Sequence, residues 1–62
     1  MKLKNLLPLI ELEQQTTFFI KDKNNKIIET ILGHDVFSSS YLEDVVSMIF
    51  ASGDHLCIIV EI

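Results

Sequence analysis

The sequence predicts a small α+β domain with an N-terminal helix, a β-hairpin, a short helical turn and a second β-hairpin, the strands forming a mainly antiparallel sheet. Three observations support this prediction. Residues 55–62 form a nearly continuous aliphatic run, which is typical of a buried strand. Residues 16–32 show the pattern strand, polar turn, strand. Residues 3–10 carry leucine and isoleucine at helical spacing.

The length and composition predict one domain, residues 1–62. A chain of 62 residues has a core close to the smallest that offsets the entropy of the unfolded chain. Its 48% hydrophobic and 23% charged residues are typical of a globular protein. Cys57 is the only cysteine, so an internal disulfide is excluded. We therefore expect a second subunit to add stability, and predict a homodimer.

The charge balance argues against direct binding to nucleic acid. The formal net charge is -4, the sequence pI is about 4.8, and the chain contains no arginine. Proteins that bind nucleic acid need clustered Lys and Arg to displace counterions from the phosphates. The apolar run at residues 6–10 is too short for a signal peptide and is followed by no small-residue cleavage site. We therefore expect a cytoplasmic protein with no membrane contact.

The first element is predicted to be a short amphipathic helix. Leu3, Leu6, Leu7 and Ile10 recur at helical spacing, with polar residues between them. Proline has no backbone donor and is best tolerated in a first turn, so a helix that begins with Asn5 as its N-cap accommodates the proline at position 8. The polar segment at residues 13–15 then ends the apolar periodicity. The prediction is a helix from about 5 to 13.

The next segment predicts two strands, residues 16–21 and 26–32, joined by a turn at 22–25. A two-residue turn would pair Ile20 with Glu29 and place a carboxylate beside apolar side chains. A three-residue loop with Asn25 in the left-handed conformation would pair Ile20 with Ile28. The second register is preferred because it separates two groups of side chains. One face then carries Phe18, Ile20, Ile28 and Leu32, and the other carries Phe19, Ile27 and Ile31.

The segment that follows allows two interpretations. Ser40 and Glu43 have the spacing of a capping box, and apolar residues recur at helical intervals, so a helix at 41–50 would give the order αββαβ. The run Val45–Phe50 is rich in β-formers, however, and residues 51–54 form a turn that leads into the terminal strand. We therefore predict a short helical turn at 38–42 and a strand at 45–50.

Four segments of the chain resemble short uncharacterised proteins of phages and prophages of Gram-positive bacteria. These segments are Lys-Leu-Lys-Asn-Leu-Leu-Pro-Leu-Ile at 2–10, Asp-Lys-Asn-Asn at 22–25, Tyr-Leu-Glu-Asp-Val-Val at 41–46 and Ile-Val-Glu-Ile at 59–62. In that group a glycine usually follows the hairpin asparagine, whereas this chain has Asn25. The resemblance implies an accessory gene product with no assigned chemistry and no catalytic residues.

The chain offers few groups for catalysis or for binding a cofactor. The candidate metal ligands match no established ligand spacing; they are His34, Asp35, Asp54, His55 and Cys57. The candidate nucleophiles are the serines at 38–40 and Cys57, and the sequence places no oriented base beside them. With only two glycines there is no glycine-rich phosphate loop. We expect no catalytic, cofactor or metal site, and hence no enzyme.

The residues that suggest a function are apolar side chains on the second face of the predicted sheet. A single short helix covers only one face, so we expect the second apolar face to be covered by a second subunit, by residues 38–42 of the same chain, or by a host or phage protein. The predicted interaction face consists of Phe19, Ile27, Ile31, Tyr41 and Ile59, with Cys57 as an addition.

Three hypotheses follow from this face and the composition. The favoured one is a small interaction or regulatory protein that self-associates or binds a host or phage protein through a sheet face or edge. The second is an acidic nucleic-acid mimic that inhibits a host DNA-binding protein, which requires acids clustered on one face. The third is a small enzyme or metal-binding protein.

Overall fold

The computed structural model describes residues 1–10 and 16–62, with all side chains in these ranges except that of His34. Helix α1 (Leu3–Leu6) continues into a 3₁₀ helix (Leu7–Leu9), and a second 3₁₀ helix (Gly33–Ser38) follows β2. The strands are β1 (Thr17–Lys21), β2 (Ile27–Leu32), β3 (Val45–Ser52) and β4 (His55–Glu61). They form one sheet in the order β2-β1-β4-β3. The predicted α+β class is confirmed.

The sheet is built from two antiparallel hairpins joined side by side. β1 pairs with β2 and β3 pairs with β4 antiparallel, whereas the two central strands, β1 and β4, are parallel. The predicted strand at 45–50 is confirmed, and the alternative helix at 41–50 is wrong. Pairing with β4 across the two-residue Gly53-Asp54 loop decides the outcome. Gly53 has a φ of 63°, as the first central residue of a type II′ turn requires.

The hydrophobic core lies on one face of this sheet. Its members are buried side chains from both central strands, from β2 and from the covering segments: Leu3, Leu7, Phe18, Ile20, Ile31, Val36, Ile58 and Val60. Burying a side chain of this size contributes about 1.5–3 kcal/mol to the free energy of folding. Because Leu3, Leu7 and Val36 come from α1 and the two 3₁₀ helices, these short helices close the core over the sheet.

The N-terminal helix begins earlier than predicted, and the N-cap at Asn5 is wrong. The observed N-cap is Lys2, which has extended backbone and no side-chain cap hydrogen bond. Backbone carbonyl groups cap the helix in place of a side chain. The Leu3 N–H donates to Asp44 O and the Lys4 N–H to Leu42 O, both at 2.9 Å. The proline lies in the first turn of the 3₁₀ helix. The predicted helical residues 11–13 lie outside the described residues.

The turn of the first hairpin is the predicted one. Asn25 has a φ of 66°. The Asn25 N–H donates to Asp22 O, and the Asp22 N–H donates to Lys26 O, both at 2.9 Å. Asp22 also accepts, through Oδ1, the backbone N–H groups of Asn24 at 2.9 Å and Lys26 at 3.0 Å. The loop therefore closes around an Asp side chain and a left-handed Asn, which are common turn residues for these reasons.

The predicted pairing of Ile20 with Ile28 is wrong, because the register shifts directly after the turn. Lys21 pairs with Ile27, but Ile20 pairs with Glu29, so Ile28 is the extra residue of a β-bulge. Beyond the bulge every β2 side chain lies on the face opposite to the predicted one. Ile31 therefore joins the core, at 9% exposure, and Leu32 lies on the other face.

A local hydrogen-bond network accommodates Glu29 on the core side of the sheet. The Ser39 hydroxyl donates to Glu29 Oε1 at 2.5 Å, and the Ser40 N–H donates to Oε2 at 3.4 Å. Ser39 is itself buried and accepts the Tyr41 N–H at 3.1 Å. The carboxylate is thus paired at the sheet edge, as buried or half-buried polar groups require.

The predicted helical turn at 38–42 is misplaced, since the helical segment is the 3₁₀ helix Gly33–Ser38 and residues 40–43 form a turn. Gly33 explains the earlier start. Its φ is 59° and its N–H donates to Thr16 O at 2.6 Å, so the chain leaves β2 at once. This helix then places Val36 in the core.

Replacing Asn25 with glycine should raise the free energy of unfolding by up to about 1 kcal/mol, because glycine adopts the left-handed conformation without the Cβ clash. Urea denaturation followed by circular dichroism measures this change. The matched variant Asn24→Gly lies one residue earlier, where φ is negative, and should give no gain. Equal effects at the two positions would contradict the assigned turn.

Candidate interaction surface

The sheet face opposite the core is called the open face. Because strand side chains alternate between faces, the registers place its residues in three rows that cross β2, β1, β4 and β3 in that order. The rows are Leu32, Thr17, His55 and Ser52; then Thr30, Phe19, Cys57 and Phe50; then Ile27, Lys21, Ile59 and Met48.

The open face is largely apolar and partly exposed. Leu32 is 57% exposed, Met48 55% and Ile27 48%. Phe19, Phe50 and Ile59 are half-buried, and Cys57 is 1% exposed between the two phenylalanines of its row. Lys21 is the only residue of the three rows with a permanent charge, since His55 is charged only when it is protonated. Among the described residues, the buried side chains of the three short helices belong to the core on the other face.

Two polar side chains of the open face rest on aromatic rings. The ring centroids of His55 and Phe19 are 4.4 Å apart with an interplanar angle of 66°, an edge-to-face arrangement. The Lys21 Nζ lies 5.6 Å from the centroid of Phe50 and donates to Asn25 Oδ1 at 3.1 Å. The lysine stem therefore lies along the apolar surface while its ammonium group reaches the hairpin turn.

The structure places three of the predicted interaction residues on the open face and two elsewhere. Phe19, Ile27 and Ile59 lie on it, and so does the added Cys57. The placement of Ile31 with Phe19 and Ile27 is wrong, since the bulge turns Ile31 into the core. The placement of Tyr41 is also wrong, because its side chain packs against the core from the covering segment.

Sequence reasoning missed three open-face residues: Leu32, Met48 and Phe50. The last two alternate with Ile49 along β3, so strand periodicity applied to residues 45–52 would have found them. Leu32 was assigned to the opposite face because the bulge at Ile28 left no recognisable signal in the sequence.

The candidate metal-ligating residues do not form a cluster. Asp54 Oδ1 and His55 Nδ1 are 3.7 Å apart at the tip of the second hairpin, and the Asp54 side chain is fully exposed. The His34 side chain is outside the described part of the molecule. In the described ranges, no group of three or more His, Cys, Asp or Glu residues is arranged to hold a metal ion, and no pocket is present.

A cluster of charges at the start of β3 anchors the N-terminal segment. Glu43 lies 2.7 Å from the Lys4 Nζ through Oε2 and 3.4 Å from the Lys2 Nζ through Oε1. Hydrogen bonds from Lys4, and then from Lys2, hold the pKa of Glu43 below its usual value of 4.5. Because the folded-state pKa is lowered, the contribution to stability is complete above pH 4.5 and is lost as the pH falls through the lowered pKa.

None of the described helices is long and apolar enough to cross a membrane. No protein-family model, curated protein or solved structure matches the chain. Because the described residues form neither a pocket nor a metal-binding cluster, the open face is the best candidate for a functional surface among them.

Proposed function

We propose that the protein is a small accessory interaction protein of the cytoplasm that self-associates by packing its open face against the open face of a second copy. The observation that carries this proposal is the exposure of apolar side chains, led by Leu32, Met48 and Ile27, on a sheet face that no described helix covers. Contiguous exposed apolar surface of this kind marks an interaction site.

The dimensions of the open face set the size of a contact between two copies. Strands lie about 4.8 Å apart and rise about 3.3 Å per residue, so four strands and three rows cover roughly 20 by 17 Å. Each face then has an area of roughly 340 Å², and two such faces in contact cover roughly 700 Å² in total, which is the size of a small, weak interface. Sheets that pack face to face in this way form a sandwich with its layers about 10 Å apart.

The distribution of charge favours a second copy as the occupant. A chain with a net charge of -4 repels its own copies wherever acids face acids. The three rows of the open face contain no acid, and Glu61 at the end of β4 lies on the same face one step beyond Ile59. Of the other acids, Asp22 lies in the hairpin turn, Glu29 on the core side and Glu43 beside two lysines. Contact through the three rows therefore brings two acidic chains together at a surface that is apolar except for Lys21 and a few uncharged polar residues.

The acidic nucleic-acid mimic receives less support. It requires a row of carboxylates with phosphate-like spacing. The described acids are instead divided among turns, the second 3₁₀ helix, the core side of β2, the end of β4 and a lysine-paired cluster. The resemblance to short phage and prophage proteins supports an accessory role, and it also makes a host or phage protein the other possible occupant of the open face.

The substitution Phe19→Lys should weaken self-association at least tenfold, because it places a charge at the centre of the apolar contact. The control Phe37→Lys makes the same change on the second 3₁₀ helix, where the side chain is 48% exposed, and should leave association unchanged. Sedimentation equilibrium across micromolar concentrations measures both, with circular dichroism to check the fold.

Equal association of the two lysine variants would contradict the proposal. Dependence on salt gives a second check, since a contact between apolar faces should change little between low and high ionic strength. A wild-type protein that stays monomeric but binds a host or phage protein through Phe19 would assign the open face to that other occupant.

A further inference from the structure

We infer that the free edge of β3 is a strand-pairing site for a second copy, in which residues 48–52 of the two chains form an antiparallel ladder around a two-fold axis. The ladder would join two four-stranded sheets into one sheet of eight strands. This contact uses backbone groups at the sheet edge, so it is separate from the proposed contact through the open face.

The register of the second hairpin identifies the backbone groups that point away from the sheet. Ser52 and His55 flank the two-residue loop, so they exchange both hydrogen bonds, and antiparallel residues then alternate between inward and outward pairing. Phe50 is directed toward β4, and Ile49 and Ala51 are directed outward. No described backbone group outside the sheet ladders bonds to either of these outward residues.

The N-terminal segment already uses the same edge at the start of β3. The Val46 N–H donates to Met1 O at 2.8 Å, and Lys2 forms an antiparallel bridge with Val45. This shows that the edge is oriented to accept an antiparallel strand. The pairing stops at Val46, next to the bulge between Val46 and Met48, and residues 48–52 remain available beyond it.

The part of β3 beyond its bulge, residues 48–52, lacks the features that usually protect an edge strand. Such strands carry charged residues, prolines or bulges that prevent pairing with another chain. The eight residues Val45–Ser52 contain no charge and no proline. The opposite edge, β2, carries Glu29 and the bulge at Ile28. The unprotected part of β3 therefore has the properties of a strand that is paired in the assembled protein.

A two-fold axis and the length of the free segment together select one register. An axis perpendicular to the sheet preserves both faces, so outward residues meet outward residues. When all of residues 48–52 are paired, Phe50 lies opposite Phe50 of the second copy. Ile49 then lies opposite Ala51 of the second copy, which matches a large side chain with a small one in both halves of the contact. Ile49 is 39% exposed, so it has surface left to bury against that alanine.

The same register satisfies the outward N–H and C=O groups of Ile49 and Ala51 in both chains. Pairing of β3 with a copy of itself needs no complementary charge, and a strand without charges meets no repulsion in this arrangement. The edge contact also leaves the open face accessible. With both contacts formed, four chains of 7.1 kDa would assemble as two eight-stranded sheets packed face to face.

The substitution Ala51→Pro tests the ladder, because it removes an outward N–H that the fold itself does not use. The control Ala51→Ser keeps this donor. We expect sedimentation equilibrium to give Ala51→Pro half the mass of Ala51→Ser, with the same circular dichroism spectrum. Equal masses would overturn the inference. Phe19→Lys changes only the open-face contact and Ala51→Pro only the β3 edge. The two variants therefore test the two proposed contacts independently.

Hydrogen exchange of the wild-type protein provides a test that needs no substitution. The amides of Ile49 and Ala51 should exchange as slowly as the inward amide of Phe50. The amide of Thr30, on the edge strand β2, is the comparison. The Gly33 N–H donates to Thr16 O at 2.6 Å, and inward and outward pairing alternate along β2 from that bond. The Thr30 N–H therefore points away from the sheet. Exchange of Ile49 and Ala51 as fast as that of Thr30 would overturn the inference.

Discussion

Replacing Phe18 with alanine should lower the free energy of unfolding by about 3–5 kcal/mol. The side chain is fully buried on the core face of β1, and truncation of a buried phenylalanine costs this much through lost burial and the cavity left behind. A small domain of this length has a free energy of unfolding of roughly 3–9 kcal/mol, so one such substitution removes much of the total. Urea denaturation followed by circular dichroism measures the loss.

The neighbouring residue supplies the matched control for this prediction. Phe19→Ala makes the same chemical change one position along β1, on the half-buried open face. At concentrations low enough to keep the protein dissociated, it should cost distinctly less than Phe18→Ala. The reverse order of stabilities, or equal losses, would mean that the two faces of the sheet are assigned the wrong way round.

Replacing Leu7 with alanine should lower the free energy of unfolding by about 2–5 kcal/mol. Leu7 is fully buried and belongs to the 3₁₀ helix that continues α1, so its truncation opens a cavity between the helical cover and the sheet. Leu9 lies in the same 3₁₀ helix but is 71% exposed. The control Leu9→Ala should change stability by no more than about 0.5 kcal/mol.

Thermal or urea denaturation of the two leucine variants distinguishes a structural cover from a loosely attached segment. A large loss at Leu7 with little change at Leu9 supports the packing of the N-terminal helices on the sheet. If Leu7→Ala were as mild as Leu9→Ala, these helices would contribute little to the core, and the sheet would have to be stabilised mainly by association.

The features that the sequence predicted correctly are those encoded by neighbouring residues. The aliphatic run of β4 and the turn around Asp22 and Asn25 depend on local preferences, and both occur as predicted. The start of α1 could not be predicted in this way. Its cap consists of the carbonyl groups of Leu42 and Asp44, which lie far away along the chain. Capping side chains alone therefore indicate Asn5, not the observed N-cap Lys2.

The open face was predicted only in part for a similar reason. Phe19, Ile27 and Ile59 follow strand alternation directly from the turn or from the terminal run. Ile31 lies beyond the bulge at Ile28, and the bulge is compatible with the fold because Ser39 pairs with the carboxylate that it turns toward the core side. The hydrogen bond between Ser39 and Glu29 joins residues ten positions apart, so no local sequence pattern indicates it.

The parallel pairing of β1 with β4 also determines how the chain can reach its folded state. Each hairpin closes over a short turn and involves only local contacts, so both can form early. Bringing Thr17 beside His55 closes a much longer loop, and the entropy of that closure is offset only when the core side chains of both hairpins meet. We therefore expect the docking of the two hairpins to limit the rate of folding, and this rate should depend on core residues of the central strands such as Ile20 and Ile58.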